Sequence, residues 1–293
     1  MAREPVGVFR SPSPHWVGDG FPARTLFSYD RLGRLVSPFL LLDYAGPAEF
    51  APAGKQRGVG EHPHRGFETV TLVYQGEVSH RDSAGSGGTI GPGDVQWMTA
   101  GSGVMHEEFH SAAFSKTGGR FKVAQLWVNL PAAQKMTAPR YQAITADQIP
   151  AVDLPGGGRL RVIAGHFGAA QGPAHTFTEL NLWDAGLPPG EFALPVPAGH
   201  HAVVAVLEGA VTLAADHQLG DGDSAVFGGA AGDIHLAVRE PTTLLVMSGV
   251  PIDEPIVGYG PFVMNSREEI IAAFEDVNAG RFGRLAVQGA TPV

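Results

Sequence analysis

The chain repeats itself. Val73-Tyr74-Gln75-Gly76-Glu77-Val78 resembles Val206-Leu207-Glu208-Gly209-Ala210-Val211, and each copy reads as strand, tight glycine turn, strand. Further on, Gly91-Pro92-Gly93-Asp94 resembles Gly220-Asp221-Gly222-Asp223, and each turn leads into an apolar strand. Asp94 stands 12 residues before His106, and Asp223 stands 12 residues before His235. Two copies of one β unit point to a duplicated barrel. The 293 residues are enough for two cores, since one core rarely grows far beyond roughly 250 residues.

Short β-branched and aromatic runs bounded by Gly, Pro or Asp predict strands over Thr69 to Tyr74, Val95 to Thr99, Val123 to Asn129, Arg159 to Ala164, Val203 to Leu207 and Leu244 to Ser248. The 40 glycines and 23 prolines, beside 44% hydrophobic residues, fit many tight turns rather than disorder. An all-β chain follows. One helix is predicted near the end: Ser266 and Glu269 form a capping box, Ile270, Phe274 and Val277 an apolar stripe, and Gly280 the stop. Pro131, Pro139 and Pro150 interrupt the strand pattern, which places the join between domains near residue 140, giving 1–140 and 141–293.

Twenty basic residues against 29 acidic ones leave a net charge of -9 and no basic cluster, so direct nucleic-acid binding is not expected. The chain has no cysteine, so a metal must be held by nitrogen and oxygen. Its start lacks an apolar leader segment, and the apolar stretch from Val203 to Ala215 is short and interrupted by Glu208. A soluble, cytoplasmic protein without a membrane span is the expectation.

Two pairs of residues carry the chemistry. Glu61-His62-Pro63-His64-Arg65-Gly66-Phe67-Glu68 precedes one predicted strand, and Val104-Met105-His106-Glu107-Glu108 follows another. In extended backbone residues i and i+2 share a face, so His62 with His64 and His106 with Glu108 can aim four donors into one interior. Imidazoles and a carboxylate suit iron, zinc, nickel, copper or manganese, and four ligands on an octahedral ion leave two positions open.

His62-Pro63-His64-Arg65-Gly66-Phe67-Glu68-Thr69 and Pro92-Gly93-Asp94-Val95-Gln96-Trp97-Met98-Thr99-Ala100-Gly101 resemble the two N-terminal cupin motifs of the pirin family. Gln125-Leu126-Trp127-Val128-Asn129-Leu130-Pro131 with Lys135-Met136 resembles the segment that follows them there. The resemblance implies a bicupin of two antiparallel β-barrels, with Fe2+ in the first barrel on His62, His64, His106 and Glu108. It also implies a dioxygenase that opens the ring of a quercetin-like flavonol, with Glu108 as both ligand and catalytic base. An alternative from the same resemblance is an iron-containing, redox-sensing adaptor that acts through a protein partner. A cupin isomerase or hydrolase using its ion only as a Lewis acid is a third reading.

Glu68 competes with Glu108, because ordinary cupins take their carboxylate from that spacing after His-x-His. The pirin pattern and the face shared with His106 favour Glu108. Glu107 is then expected to point away, and Glu68 to orient a ligand imidazole or pair with Arg65. His80 and His110 read first as exposed polar residues and second as groups that support the ligands from behind. Phe67, Trp97, Met98 and Met105 read first as core and second as pocket lining. Ser102 reads as a turn residue, and the glycines of 85–91 make no nucleotide-binding motif.

In the second half, offsets from Gly209 place Pro195 and Pro197 where the first half has His62 and His64. His235 and Ala237 fall opposite His106 and Glu108, so the second barrel is expected to be metal-free, against the lesser alternative of a second site on His200, His201 and His235.

Overall fold

The computed structural model describes residues 2–10 and 13–286. Its contacts gather into two units. One comprises Met1–Pro14, Arg24–Tyr44 and Ile144–Asp253; the other comprises His15–Ala23, Ala45–Ala143 and Glu254–Val293. One change of unit falls at Ala143–Ile144, and neither unit is one run of chain. The chain passes between them inside the strands Phe21–Ser28 and Phe39–Phe50. A pattern read along the chain locates strands, not a unit boundary that falls within one.

The unit holding His62 is built on eight strands after residue 57: β1 (Gly58–His64), β2 (Phe67–Gln75), β3 (Val78–Asp82), β4 (Gly87–Ile90), β5 (Val95–Thr99), β6 (Val104–His110), β7 (Gly119–Asn129) and β8 (Arg140–Ile144). One sheet runs β8-β5-β2-β7 and continues through Phe39–Phe50, Phe21–Ser28 and His15–Val17; the other runs β1-β6-β3-β4. Val73 and Val123 of the first sheet meet Val78 and Ile90 of the second in one buried cluster, so the core lies between the sheets. The turn from β1 to β2 requires Gly66. Its φ is +88°, and a Cβ there would lie 2.1 Å from the Val263 carbonyl oxygen.

The helix α1 (Arg267–Asn278) belongs to this unit. Ser266 Oγ accepts from the Glu269 amide, and the Glu269 carboxylate accepts from the Ser266 amide. The buried stripe differs from the expected one. Ile270 and Ala273 are buried with Phe262, Met264 and Phe282, whereas Phe274 stays 37% exposed beside Tyr259 and Phe262. At 3.6 residues per turn the small Ala273 can sit against the hairpin Val257–Tyr259/Phe262–Met264 and the larger ring at its rim.

The other unit repeats the arrangement. Its longer sheet contains Ser224–Phe227, His201–Glu208 and Thr242–Gly249 in the order of β5, β2 and β7; its shorter sheet runs Gly190–Pro195, Asp233–Val238, Val211–Thr212, Gln218–Leu219 in the order of β1, β6, β3 and β4. The sheets are not closed by hydrogen bonds into barrels, but the all-β duplication expected from the repeat, and the two-cupin architecture implied by the resemblance, are the ones observed. No helix among the described residues is long and apolar enough to cross a membrane.

Candidate metal centre

Strand register assembles the site. In the antiparallel β1/β6 pair, His106 faces His62 and Val104 faces His64. Residues alternate along β6, so His106, Glu108 and His110 are buried while Met105, Glu107 and Phe109 are less so. The rings of His62, His64 and His106 lie 4.2–4.9 Å apart, and one nitrogen from each falls within 4.8 Å of the others.

Hydrogen bonding determines which nitrogen is free. His62 Nδ1 donates to the Gly60 carbonyl at 2.8 Å, and His64 Nδ1 donates to the Pro261 carbonyl at 3.2 Å. A carbonyl only accepts, so both rings carry the proton on Nδ1 and leave Nε2 as a bare lone pair. His106 Nε2 is buried with no hydrogen-bond partner in the protein. An orphaned buried nitrogen beside two bare Nε2 atoms fits a metal ion as the missing partner. Burial, aided by His62, lowers the His64 imidazole to about 3; burial with the neighbouring His64, His62 and His80 lowers that of His106 well below its ordinary value. Both rings are thus neutral at pH 7, the state that ligates metal.

Glu108 stands beside this trio rather than within it. Its carboxylate groups with His80 and His106, not with His62 and His64. Oε1 accepts from Gln96 Nε2 at 3.0 Å and Thr71 Oγ1 at 3.3 Å, and Oε2 accepts from Gln125 Nε2 at 2.9 Å. Glu107 turns to the opposite face and pairs with Arg81. Glu68 is buried at the start of β2, accepts from Thr99 Oγ1 at 2.7 Å and lies 3.9 Å from Arg140. It does not pair with Arg65, which instead bonds Asp276 at 2.6 Å and the Ser102 carbonyl at 2.7 Å.

His80 and His110, expected at the surface, are both buried. His80 extends along β3 toward His106, and its ring stacks on Tyr141 at 5.0 Å. His110 Nε2 donates to the Gly20 carbonyl inside a cluster of Phe21, Phe50, Phe114 and Phe121. Gln96, Gln125 and Thr71, which hold Glu108, were not singled out in the sequence, nor was Asp82. His80-x-Asp82 repeats the i,i+2 spacing of the ligand pairs, a signal in plain view. Phe67, Trp97 and Met98 are buried, and Phe67 stacks on Trp127 at 4.3 Å, with both rings against His64.

The second unit corrects the sequence alignment by one residue. Val78 pairs with His110, and its counterpart Val211 pairs with Val238. His106 and Glu108 therefore correspond to Ile234 and Leu236, and through the pairing of Leu194 with Ile234, His62 and His64 correspond to Leu194 and Val196. All four are buried in one apolar cluster. His235 points outward and is exposed, because the loop entering its strand differs in length by one residue, and a one-residue slip reverses the face. His200 contacts Ser248 and Glu179, and His201 contacts the Arg34 carbonyl.

Residues 20–128 match the Pirin family, and residues 182–283 match the Pirin C-terminal cupin domain. The chain belongs to the pirin family. A pirin-like protein of Caulobacter vibrioides is 39% identical over 85% of this chain and 88% of its own. A Pseudomonas aeruginosa protein named "putative quercetin 2,3-dioxygenase" is 56% identical over 95% of this chain and 98% of its own. The crystal structure of a quercetin 2,3-dioxygenase from Acinetobacter baumannii is 53% identical, covers 97% of this chain and 99% of its own, and superposes with a TM-score of 0.94. Within the pirin pattern, the His/Glu cluster described above is the candidate metal site.

Proposed function

We propose that this chain is an iron-dependent dioxygenase that opens the central ring of quercetin-like flavonols, converting flavonol and dioxygen to a ring-opened ester and carbon monoxide. The observation that carries the reading is the convergence of three imidazoles, two with Nε2 bare and the third with its Nε2 unpartnered, beside the Glu108 carboxylate. The names of the 56% and 53% identical relatives support the same reaction class. His62, His64 and His106 would hold the ion with Glu108 as fourth ligand. Iron bound there supplies Lewis acidity and electron transfer to dioxygen, although the N3O set also accepts zinc, nickel, copper or manganese.

The chain's own groups do the rest. Glu108 is the acceptor for the flavonol hydroxyl proton, and Gln96, Thr71 and Gln125 fix the direction of its oxygens. Tyr141 donates to Gln96 Oε1 at 3.1 Å. Burial and the nearby Glu108 and Asp82 push its phenol up to about 12, so it remains a donor across neutral pH. Trp127, backed by the buried Phe67, offers an aromatic face beside His64 for a planar substrate.

The test is anaerobic loading with iron(II) and metal quantification, then quercetin in air with flavonol absorbance and carbon monoxide followed together. Turnover that requires metal and is lost in Glu108→Ala is expected. One bound iron with no flavonol consumed would overturn the reading in favour of a redox-sensing adaptor.

A further inference from the structure

His62 and His64 are each oriented by a backbone carbonyl, but His106 has none. Its Nδ1 instead lies 3.3 Å from Nδ1 of His80, whose Nε2 lies 3.3 Å from Asp82 Oδ2. All three side chains are buried, and His80 and Asp82 are neighbours on one face of β3, opposite Glu108 and His106 of β6 respectively. Asp82 is fixed in turn, since its Oδ1 accepts from the amides of Ala84 at 3.0 Å and Ser86 at 2.9 Å. Only Oδ2 remains for His80.

We propose that Asp82 and His80 are positioning residues that set the tautomer of His106 and so present its Nε2 to the metal. The inference rests on the three-histidine reading of the metal centre. The logic is one of proton placement, with no proton gained or lost. A carboxylate at Oδ2 can only accept, so His80 carries its proton on Nε2 and offers a bare Nδ1. His106 must then carry its proton on Nδ1 and donate it to His80, which leaves its own Nε2 bare and facing His62 and His64. The stacked Tyr141 ring holds the plane of His80. Orienting partners of this kind commonly change metal affinity by about 10–100-fold when removed.

Asp82→Asn is the sharp variant. Its amide oxygen is retained by the Ala84 and Ser86 amides, so its NH2 faces His80 and reverses both tautomers, moving the His106 proton onto Nε2. This parallels the loss of a correctly placed imidazole when a triad aspartate becomes asparagine.

The first measurement is long-range proton–nitrogen correlation NMR on metal-free wild-type protein with assigned histidines. His106 is expected to show a protonated Nδ1 and a bare Nε2, and Asp82→Asn to exchange them. Zinc and nickel affinity, measured by competition with a chelator, is expected to fall at least 10-fold in Asp82→Asn. His80→Phe, which keeps the stack on Tyr141 but removes the acceptor, should weaken binding by a similar factor. A wild-type His106 protonated on Nε2, or an Asp82→Asn variant with unchanged tautomer and unchanged affinity, overturns the proposal. Neither readout involves flavonol turnover, so an inactive protein with the expected tautomers would sink the dioxygenase reading and leave this one standing.

Discussion

The two units share a strand order and differ in what fills their interiors. Where one has His62, His64, His106 and Glu108, the other has Leu194, Val196, Ile234 and Leu236. The apolar set joins a cluster that includes Trp183, Val204 and Val246, and its four side chains bring no polar atom of their own. The polar set recruits Thr71, Gln96 and Gln125 around one carboxylate and still leaves a buried nitrogen unpartnered. One interior is thus filled by apolar packing and the other by nitrogen and oxygen donors, on the same scaffold. A buried polar cluster that lacks its ion is a burden on the fold.

The largest expected effect breaks the polar set. His106→Ala should reduce bound iron, zinc or nickel to background by elemental analysis, with the fold retained by circular dichroism. The mirror substitution Leu236→Ala belongs to the apolar set. It should leave metal content unchanged and cost about 2–5 kcal/mol in urea unfolding, the usual range for truncating a buried leucine. If Leu236→Ala released metal, or His106→Ala kept it, the division of labour between the units would be wrong.

Most of the fold was legible because its signals are local. Strands at Val95–Thr99 and Arg159–Ala164 coincide with the runs read from the sequence, and the Ser266 capping box is present. The unit boundaries inside Phe21–Ser28 and Phe39–Phe50 were not legible, since a boundary within a strand leaves no local pattern. That His62 shares a face with His64, and His106 with Glu108, follows from the i,i+2 rule, whereas the pairing of His106 with His62 comes from strand register. The counterparts in the second unit were misplaced, because residue counting ignores a one-residue change in a loop, whereas hydrogen-bond register does not. Pro261, distant in sequence, supplies the carbonyl that orients His64; only tertiary structure could reveal it. His80 reads first as an exposed residue because nothing local shows that β3 turns it inward, and Asp82, two residues on, draws no notice without its partner.

Glu68 provides a smaller effect with a defined pH window. Burial pushes it up to about 7 from 4.5, against the opposing Thr99, Trp97 and Arg140. Between those values the folded chain keeps a proton that the unfolded chain has lost. Its contribution to stability therefore falls as pH rises from about 4.5 to 7 and is level above that. His64 acts in the opposite sense, because its value is lowered, so its contribution rises between about 3 and 6.5. The difference between wild type and Glu68→Gln isolates the carboxylate. Metal-free Glu68→Gln should match wild type near pH 4 and exceed it at pH 8 by on the order of 3 kcal/mol in urea unfolding. A gap that is absent at pH 8, or largest at pH 4, would refute the assignment.

The smallest effect is the most direct check on register. Glu107 and Glu108 are adjacent, yet the alternation of β6 sends them to opposite faces. Glu107 meets Arg81, whose side chain is 35% exposed, and a partly solvated pair of this kind contributes less than about 1 kcal/mol. Glu107→Ala should therefore change the unfolding midpoint only slightly and leave metal content at the wild-type value. Should Glu107→Ala strip the metal while Glu108→Ala retains it, β6 would be displaced by one residue. The pairing of His106 with His62 would then fail, and with it the correspondence that sets four apolar residues of one unit against four donors of the other.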